Sequence, residues 1–407
     1  MAPQEFIKAR ESSSIAIVCN KPYYPNLKVD PQDHSSITLA AIQLLCHKDE
    51  KGSTTPPPTS PKDLEDIHKS FQVTKVTGGI TNALFRISGL SSLNALNNDS
   101  HLLDHHEDAI LVRVFGAEGM IDRDVETSTF SSLADKGIAP PYHGRFGNGR
   151  LEGWLENYAP LSLMDLQNDE TIEAIAEQMA KLHVGYTVPD DLKEHHDETK
   201  PALWSQLYSW MDQATNISNF KSQHDDARAK ELLDLPKIAK ELEWLKSDSI
   251  PKDAKVAFCH NDLLAGNIMK HTINGNIQLI DFEYGGVNFV AFDIANHFNE
   301  FAGGTENKEG QTNYDLFPCE TKRRAFIGSY LRTASGLESS ESESVEPTEQ
   351  DIQAMHLEVQ AFVLANHIYW GLWAVNQAAM EGTEEFDYMA YATNRFNQYY
   401  KNKAEFQ

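Results

Sequence analysis

The stretch FCHNDLLAGNIM, residues 258–269, sets the tightest limit on what this chain can fold into. The apolar run KVAFCH leads into it and reads as a strand; a polar turn follows, and LIDFEY reads as a second apolar strand with an acid near its end. Between the two, Asn274-Gly275-Asn276 supplies a hairpin turn. That arrangement lets Asp262, Asn267 and Asp281 converge at one end of a small β unit. The plainer alternative is a polar hairpin whose Asp and Asn side chains only cap turns, and a lone HxD would favour it.

The rest of the chain divides around that unit. LKVD (27–30) reads as a short strand, and SSITLAAIQLLCHKD (35–49) as a helix capped by Ser35 or Ser36. GSTTPPPTSP (52–61) is a breaker-rich linker. FQVTKVTGG and ITNALFRISG read as two strands around a Gly pair, AILVRVFG (109–116) as a third, and RDVETSTFSSLADKG (123–137) as a helix stopped by Gly137. SSLNALNNDSHLLDHHED (91–108) is a polar insertion, and GRLEGWLENYAP (149–160) reads as strands and a turn. After Leu161 the pattern becomes helical, including NFVAFDIANHFNEF and the long run DIQAMHLEVQAFVLANHIYWGLWAVNQAAM. SGLESSESESVEPTEQ (335–350) reads as an acidic loop. The expected class is α+β. Residues 1–70 form a strand, a helix and a linker, 71–160 a β-rich lobe, and 161–407 a mainly helical lobe.

Bulk properties narrow the function. A chain of 407 residues, 41% of them hydrophobic, suits one large two-lobed domain or two ordinary ones. A net charge of −25 argues against nucleic acid or an anionic membrane as partner and attracts a cationic small molecule. No apolar run approaches a membrane span, and the first twenty residues lack the apolar core of a secretory signal. Cys19, Cys46, Cys259 and Cys319 lie far apart with no CxxC, which reads as reduced thiols in a cytoplasmic protein. His101, Asp104 and His105 read as part of the polar insertion rather than as a metal site.

The spacing of Asp262, Asn267 and Asp281 resembles the catalytic core of the protein-kinase-like fold, whose lobes are β-rich first and mainly helical second. The resemblance implies that Asp262 takes the proton of an attacking hydroxyl, while Asn267 and Asp281 hold Mg²⁺ on the phosphates of ATP. These residue types suit the chemistry: a base must be anionic and near its nucleophile, and magnesium takes hard oxygen ligands. The sequence lacks GxGxxG, VAIK, HRD and DFG. VTGGITNALFRI (76–87) stands where a phosphate loop belongs, with Gly78 and Gly79 letting the backbone approach. Arg113 stands where the kinase strand lysine would be; it reads as a phosphate ligand or as a strand-edge surface cation. Glu126 reads as its partner or as part of a solvated helix face.

VTGGITNALF, ILVRVFG, FCHNDLLAGNI, IDFEYGGVNFVAFDIANHFNEFAG and IYWGLWAVNQA, in that order, resemble the choline/ethanolamine kinase family. The resemblance runs from about Val73 to about Lys401, and Ala295 stands where the family usually has Gly. HNDLL and NHFNEFAG look more like the ethanolamine kinases. The resemblance implies ATP-dependent phosphorylation of ethanolamine, the first step of the CDP-ethanolamine route to phosphatidylethanolamine. It assigns Gly78, Gly79, Thr81, Asn82, Arg113 and Glu126 to the nucleotide, with Glu156, Asn157 and Tyr158 in a connector that holds adenine. Tyr284, Glu300, Trp370, Trp373 and Tyr391 would form the amino-alcohol pocket, and a homodimer is compatible with all of this.

The residue chemistry of that pocket is consistent with an amine. Trp370 and Trp373 are three apart on a helix and share a face, and desolvated indoles attract cations by ~2 kcal/mol or more. A primary ammonium carries three N–H donors and wants an acceptor such as Glu300, whereas quaternary choline tolerates aromatic faces alone. Ordinary core packing is the plainer reading of the Trp pair. Choline or dual-specificity kinase, an inactive kinase-like scaffold and an antibiotic phosphotransferase remain the competing functions.

Overall fold

The computed structural model describes residues 21–45, 71–76, 82–90, 108–116, 122–338 and 345–406. Gly78, Gly79 and Thr81, the linker at 52–61, His101, Asp104, His105, Cys19 and Cys46 lie outside the described residues. The chain forms two compact units, 1–158 and 159–407.

The first unit is built on a six-stranded sheet in the order β1-β5-β6-β4-β3-β2. Its strands are β1 (Tyr23–Tyr24), β2 (Gln72–Val76), β3 (Asn82–Ser88), β4 (Ala109–Phe115), β5 (Tyr142–Phe146) and β6 (Gly149–Gly153). All pairs are antiparallel except β1 with β5. The strand expected at 27–30 is not one. Val29 exchanges hydrogen bonds with the side chain of Asn148 instead, so an amide takes the place of a ladder partner. Helix α1 (His34–Leu45) starts one residue early, because Asp33, not a serine, accepts from the Ser35 N–H. Helix α2 (Arg123–Asp135) is capped by Asp122 and ends before Gly137, whose φ of +68° favours a residue free of a Cβ.

Period-2 alternation decides what each face of this sheet carries. Ile110, Val112 and Val114 of β4 enter a core with Phe85, Ile87, Leu151 and the α1 residues Ile37, Ala41 and Leu44. Arg113 therefore belongs to the opposite face, yet it is buried too, with Arg150 and Glu152 of β6.

In the second unit, β8 (Val256–Cys259) pairs with β11 (Gly286–Phe289), not with the strand that carries Asp281. Strands β9 (Ile268–His271) and β10 (Ile277–Leu279) form the expected hairpin, turned at Gly275 with φ +77°, and β7 (Tyr158–Pro160) flanks β9. The helices are α3 (Asp169–Gly185), α4 (Ala202–Thr215), α5 (Gln223–Leu232), α6 (Leu235–Trp244), α7 (Val290–Glu300), α8 (Glu320–Glu338), α9 (Glu349–Glu381) and α10 (Tyr388–Phe406). The helix read from Asn288 begins two residues later, because Asn288 and Phe289 complete the β11 ladder. The loop read from Ser335 begins later too, since α8 continues to Glu338. A Thr348–Asp351 capping box starts α9, the longest helix among the described residues. At Gly371 a Cβ would come within 2.4 Å of the Phe396 ring, so the glycine is what lets α9 and α10 close together beside the two tryptophans. Among the described residues no helix is long and apolar enough to cross a membrane.

Candidate active site

Asp262 lies in the turn after β8, and Asp281 lies just past β10. His260 joins the two segments. Its Nε2–H donates to the Ile280 carbonyl at 2.9 Å, and its Nδ1 faces the Asp262 N–H at 3.4 Å. Burial holds the imidazole below its usual range, so it serves as a neutral tether. Asp293 of α7 fixes the same turn by accepting the N–H groups of His260 (2.9 Å) and Asn261 (2.7 Å), and His183 Nε2 lies 2.9 Å from its carboxylate. His297, which the sequence left without a role, donates from Nδ1 to Leu263 O at 3.1 Å and pins the residue after Asp262. Cys259 is a buried thiol with carbonyl partners, and burial raises its pKa well above the usual thiol range.

Two residues here adopt left-handed backbone although neither is glycine. Asn261 has φ +65°, and Asp281 has φ +63° and ψ +62°. Such conformations cost on the order of 1 kcal/mol or more and survive where the surroundings fix them. At Asn261 the fixing groups are visible: its amide donates to the Tyr284 and Gly286 carbonyls and accepts from Asn288.

Asn267 donates from Nδ2 to the Asp262 carbonyl (2.9 Å) and carboxylate (3.4 Å). Desolvation, then Glu300, Asp281 and Glu283, pushes the Asp262 carboxyl well above its usual range. Beside this carboxylate cluster stand the aromatic residues singled out in the sequence. Tyr284 meets Trp370 at 5.7 Å between centroids, Trp370 meets Trp373 at 5.4 Å, and Trp373 meets Tyr391 at 6.4 Å, all edge to face. The structure thus gathers Asp262, Asn267, Asp281, Tyr284, Glu300, Trp370, Trp373 and Tyr391 within one unit. Glu300 is buried at the end of α7, and burial raises its carboxyl to about 7 against the pull of Arg395.

The first unit carries a second buried charge cluster. Arg113 and Arg150 face each other across β4 and β6, an arrangement that would repel. Glu152 Oε1 offsets it by accepting from both Nε groups, at 2.7 and 2.8 Å. Arg113 and Glu126 belong to one network, but the carboxylate of Glu126 is held by Arg150 (2.6 Å) and Arg123 (3.1 Å). Glu126 is buried, not part of a solvated helix face, and Arg113 is not a surface cation. Asn82 accepts from Arg123 at 3.3 Å. Glu156 is exposed and pairs with Arg86 at 3.4 Å; Asn157 has φ +62°, and Tyr158 opens β7.

Sequence reasoning missed Glu152 and Arg150, because nothing in GRLEG shows that both strand faces are covered. It also missed Arg395, which a recurring signal marks: it lies one helical turn after Tyr391.

A family model described as choline/ethanolamine kinase matches residues 73–400. The chain belongs to the choline/ethanolamine kinase family. Among curated relatives, human ethanolamine kinase 2 is 31% identical over 386 residues, spanning 94% of this chain and 84% of that protein. A probable choline kinase 1 of Arabidopsis thaliana is 30% identical over 364 residues, 87% of this chain and 97% of that one. The solved choline kinase of Cryptosporidium parvum Iowa II superposes with a TM-score of 0.66 at 29% identity, covering 83% of this chain and 90% of that one. The fold is protein-kinase-like, and the protein is a small-molecule phosphotransferase of a family that uses ATP with Mg²⁺. The donor set of this choline/ethanolamine kinase fits such an ion. Asp281 stands close enough to help raise the Asp262 carboxyl, and Asn267 spends its N–H₂ on Asp262, which leaves the amide oxygen for a cation.

Proposed function

We propose that this family member transfers the γ-phosphoryl group of ATP to the hydroxyl of ethanolamine, giving phosphoethanolamine and ADP. That reaction opens the CDP-ethanolamine route to phosphatidylethanolamine. The supporting observation is the buried carboxylate of Glu300, whose charge reaches Tyr391 at one end of a row of rings that runs through Trp373 and Trp370 to Tyr284, with Asp262 acting on both tyrosines. A primary ammonium needs hydrogen-bond acceptors, and this pocket offers a carboxylate and a phenol oxygen besides its π faces.

In this reading Asp262 accepts the hydroxyl proton as the alcohol oxygen bonds to the γ-phosphorus and the bond to the β–γ bridging oxygen breaks. Desolvation and neighbouring carboxylates raise its carboxyl, which strengthens it as a base. Asn267 and Asp281 would hold Mg²⁺, which supplies charge neutralisation on the phosphates. The excess of guanidinium over carboxylate around Arg113, Arg123 and Arg150 suits the polyphosphate of the nucleotide. We assign the work to the cytoplasm, on the reduced-thiol reading of the sequence; Cys259 and Cys319 are unpaired.

Choline is the second reading, favoured by the four aromatic rings. A coupled ADP-release assay across ethanolamine, its N-methylated forms and choline separates the two. We expect kcat/KM to fall with each added methyl as N–H donors disappear; a clear preference for choline overturns the ethanolamine assignment.

A further inference from the structure

Arg395 of α10 is fully buried in the second unit, a costly place for a guanidinium. Its contacts explain why it is there. Nη1 lies 3.3 Å from Glu300 Oε1 and 3.3 Å from the Tyr391 hydroxyl. Nη2 donates to Asn366 Oδ1 at 2.5 Å and to the Asn366 carbonyl at 3.3 Å. Asn366 in turn donates to Asn296 Oδ1 at 2.8 Å, and that same oxygen accepts the Trp370 indole N–H at 2.6 Å. One guanidinium thus connects a carboxylate on α7, an indole on α9 and a phenol on α10.

We propose that Arg395 is a positioning residue of the amino-alcohol site, holding Glu300, Tyr391 and Trp370 in the arrangement that receives the ammonium group. The proposal rests on the reading of those three residues as the amine pocket. It accounts for two things that packing alone does not. First, Arg395 engages Glu300 through Oε1, and among the described residues Oε2 takes no hydrogen bond, so one carboxylate oxygen is oriented and the other is available. Second, burial and then the nearby charge of Glu306 oppose the ionisation of Glu300. The guanidinium is what keeps that carboxylate anionic enough to attract a cation. A simple hydrophobic contact between α7 and α10 would do neither.

The test is steady-state kinetics on the full chain with ethanolamine and ATP varied separately, for Glu300→Gln, Arg395→Lys, Arg395→Met and the Glu300→Gln/Arg395→Met double variant. We expect Arg395→Met to raise the ethanolamine KM by about tenfold or more, since truncating one partner of a buried charge pair is costly, while the ATP KM stays within about twofold. Arg395→Lys should recover part of that loss, because it restores the charge without the planar fork. Since Arg395 acts in part through Glu300, the double variant should raise the ethanolamine KM by clearly less than the product of the two single effects. A folded Arg395→Met enzyme with unchanged ethanolamine KM overturns the proposal, as does a double variant in which the two KM effects multiply in full. Should Arg395→Met fail to fold, the Lys and double variants decide, the double one leaving no buried charge unpaired. If Glu300→Gln itself leaves the ethanolamine KM unchanged, the pocket reading falls first; if it raises KM while both Arg395 variants do not, only the role of Arg395 falls.

Discussion

Each unit of this kinase buries a cluster of charge, and the two clusters are built to opposite ends. In the first unit Arg113, Arg123 and Arg150 surround Glu126 and Glu152, with every carboxylate touching a guanidinium. The surrounding cations hold both carboxyls below their usual range, Glu152 at about 2. In the second unit Asp262, Asp281, Glu283 and Glu300 share a neighbourhood in which Arg395 is the cation beside Glu300, and Asp262 and Glu300 are raised. Opposite charges that pair through hydrogen bonds hold strands and helix together. Crowded charge of one sign costs stability, and such crowding is the mark of a site that receives cations.

Substitutions that remove one charge from each cluster break the comparison most directly. Asp262→Asn should lower kcat by about 10²–10⁴-fold, the usual share of a general base, with nucleotide affinity little changed. Its Tm should equal or exceed that of the parent, because repulsion is relieved; near-parental turnover would remove Asp262 from the chemistry. Arg150→Met should do the reverse to stability, leaving Glu126 and Glu152 short of a partner at a cost of about 3–5 kcal/mol. Denaturant unfolding measures that loss, and an unchanged midpoint would show the network to be idle.

Trp373→Leu probes the aromatic side of the second cluster. It should raise the ethanolamine KM by roughly tenfold or more, the ~2 kcal/mol of a desolvated cation–π contact, and leave the ATP KM alone. A Trp pair that is only core packing would instead show lost stability with equal effects on both substrates.

The smallest effect is the sharpest contrast, because the two clusters answer acid in different windows. Glu152 is lowered from 4.5 to about 2 in the folded protein. It therefore contributes stability that is full above about 4.5 and lost as pH falls towards 2, readable as hydrogen exchange in β4 and β6. Glu300 is raised from 4.5 to about 7, so the folded state holds a proton there that the unfolded chain releases. That group alone favours folding more as pH falls from about 7 to 4.5, while it loses the negative charge that the proposed function assigns to an ammonium. Arg395 and Tyr391 of α10, Glu306, Tyr314 and Asp262 are the charged or titratable groups coupled to it. The kcat/KM for ethanolamine should accordingly decline below pH 7, and Glu300→Gln should flatten that limb. A limb that survives the substitution belongs to another group.

Much of this site was legible in the chain. The hairpin at Asn274–Asn276 and the spacing of Asp262, Asn267 and Asp281 are local, fixed by period-2 alternation and turn chemistry, and they emerged as read. The three-residue step from Trp370 to Trp373 likewise put both indoles on one face. The errors fell where partners come from far away. β8 takes β11 as its neighbour, and Asn288 joins a ladder rather than a helix, because pairing depends on what else the fold brings alongside. Of the two readings of Arg113, the surface cation fails, because a strand cannot announce that both its faces will be covered.

The sequence by itself pointed to the class of chemistry, since Asn267 and Asp281 flank one short hairpin and Asp262 stands five residues before Asn267. What the tertiary structure decided was the charge state of those groups. Burial, the company of Glu300 and Glu306, and the arrival of Arg395 from a helix 95 residues away set each carboxylate's affinity for a proton or a cation. Such fields depend on distance and desolvation, and neither is written in the order of residues.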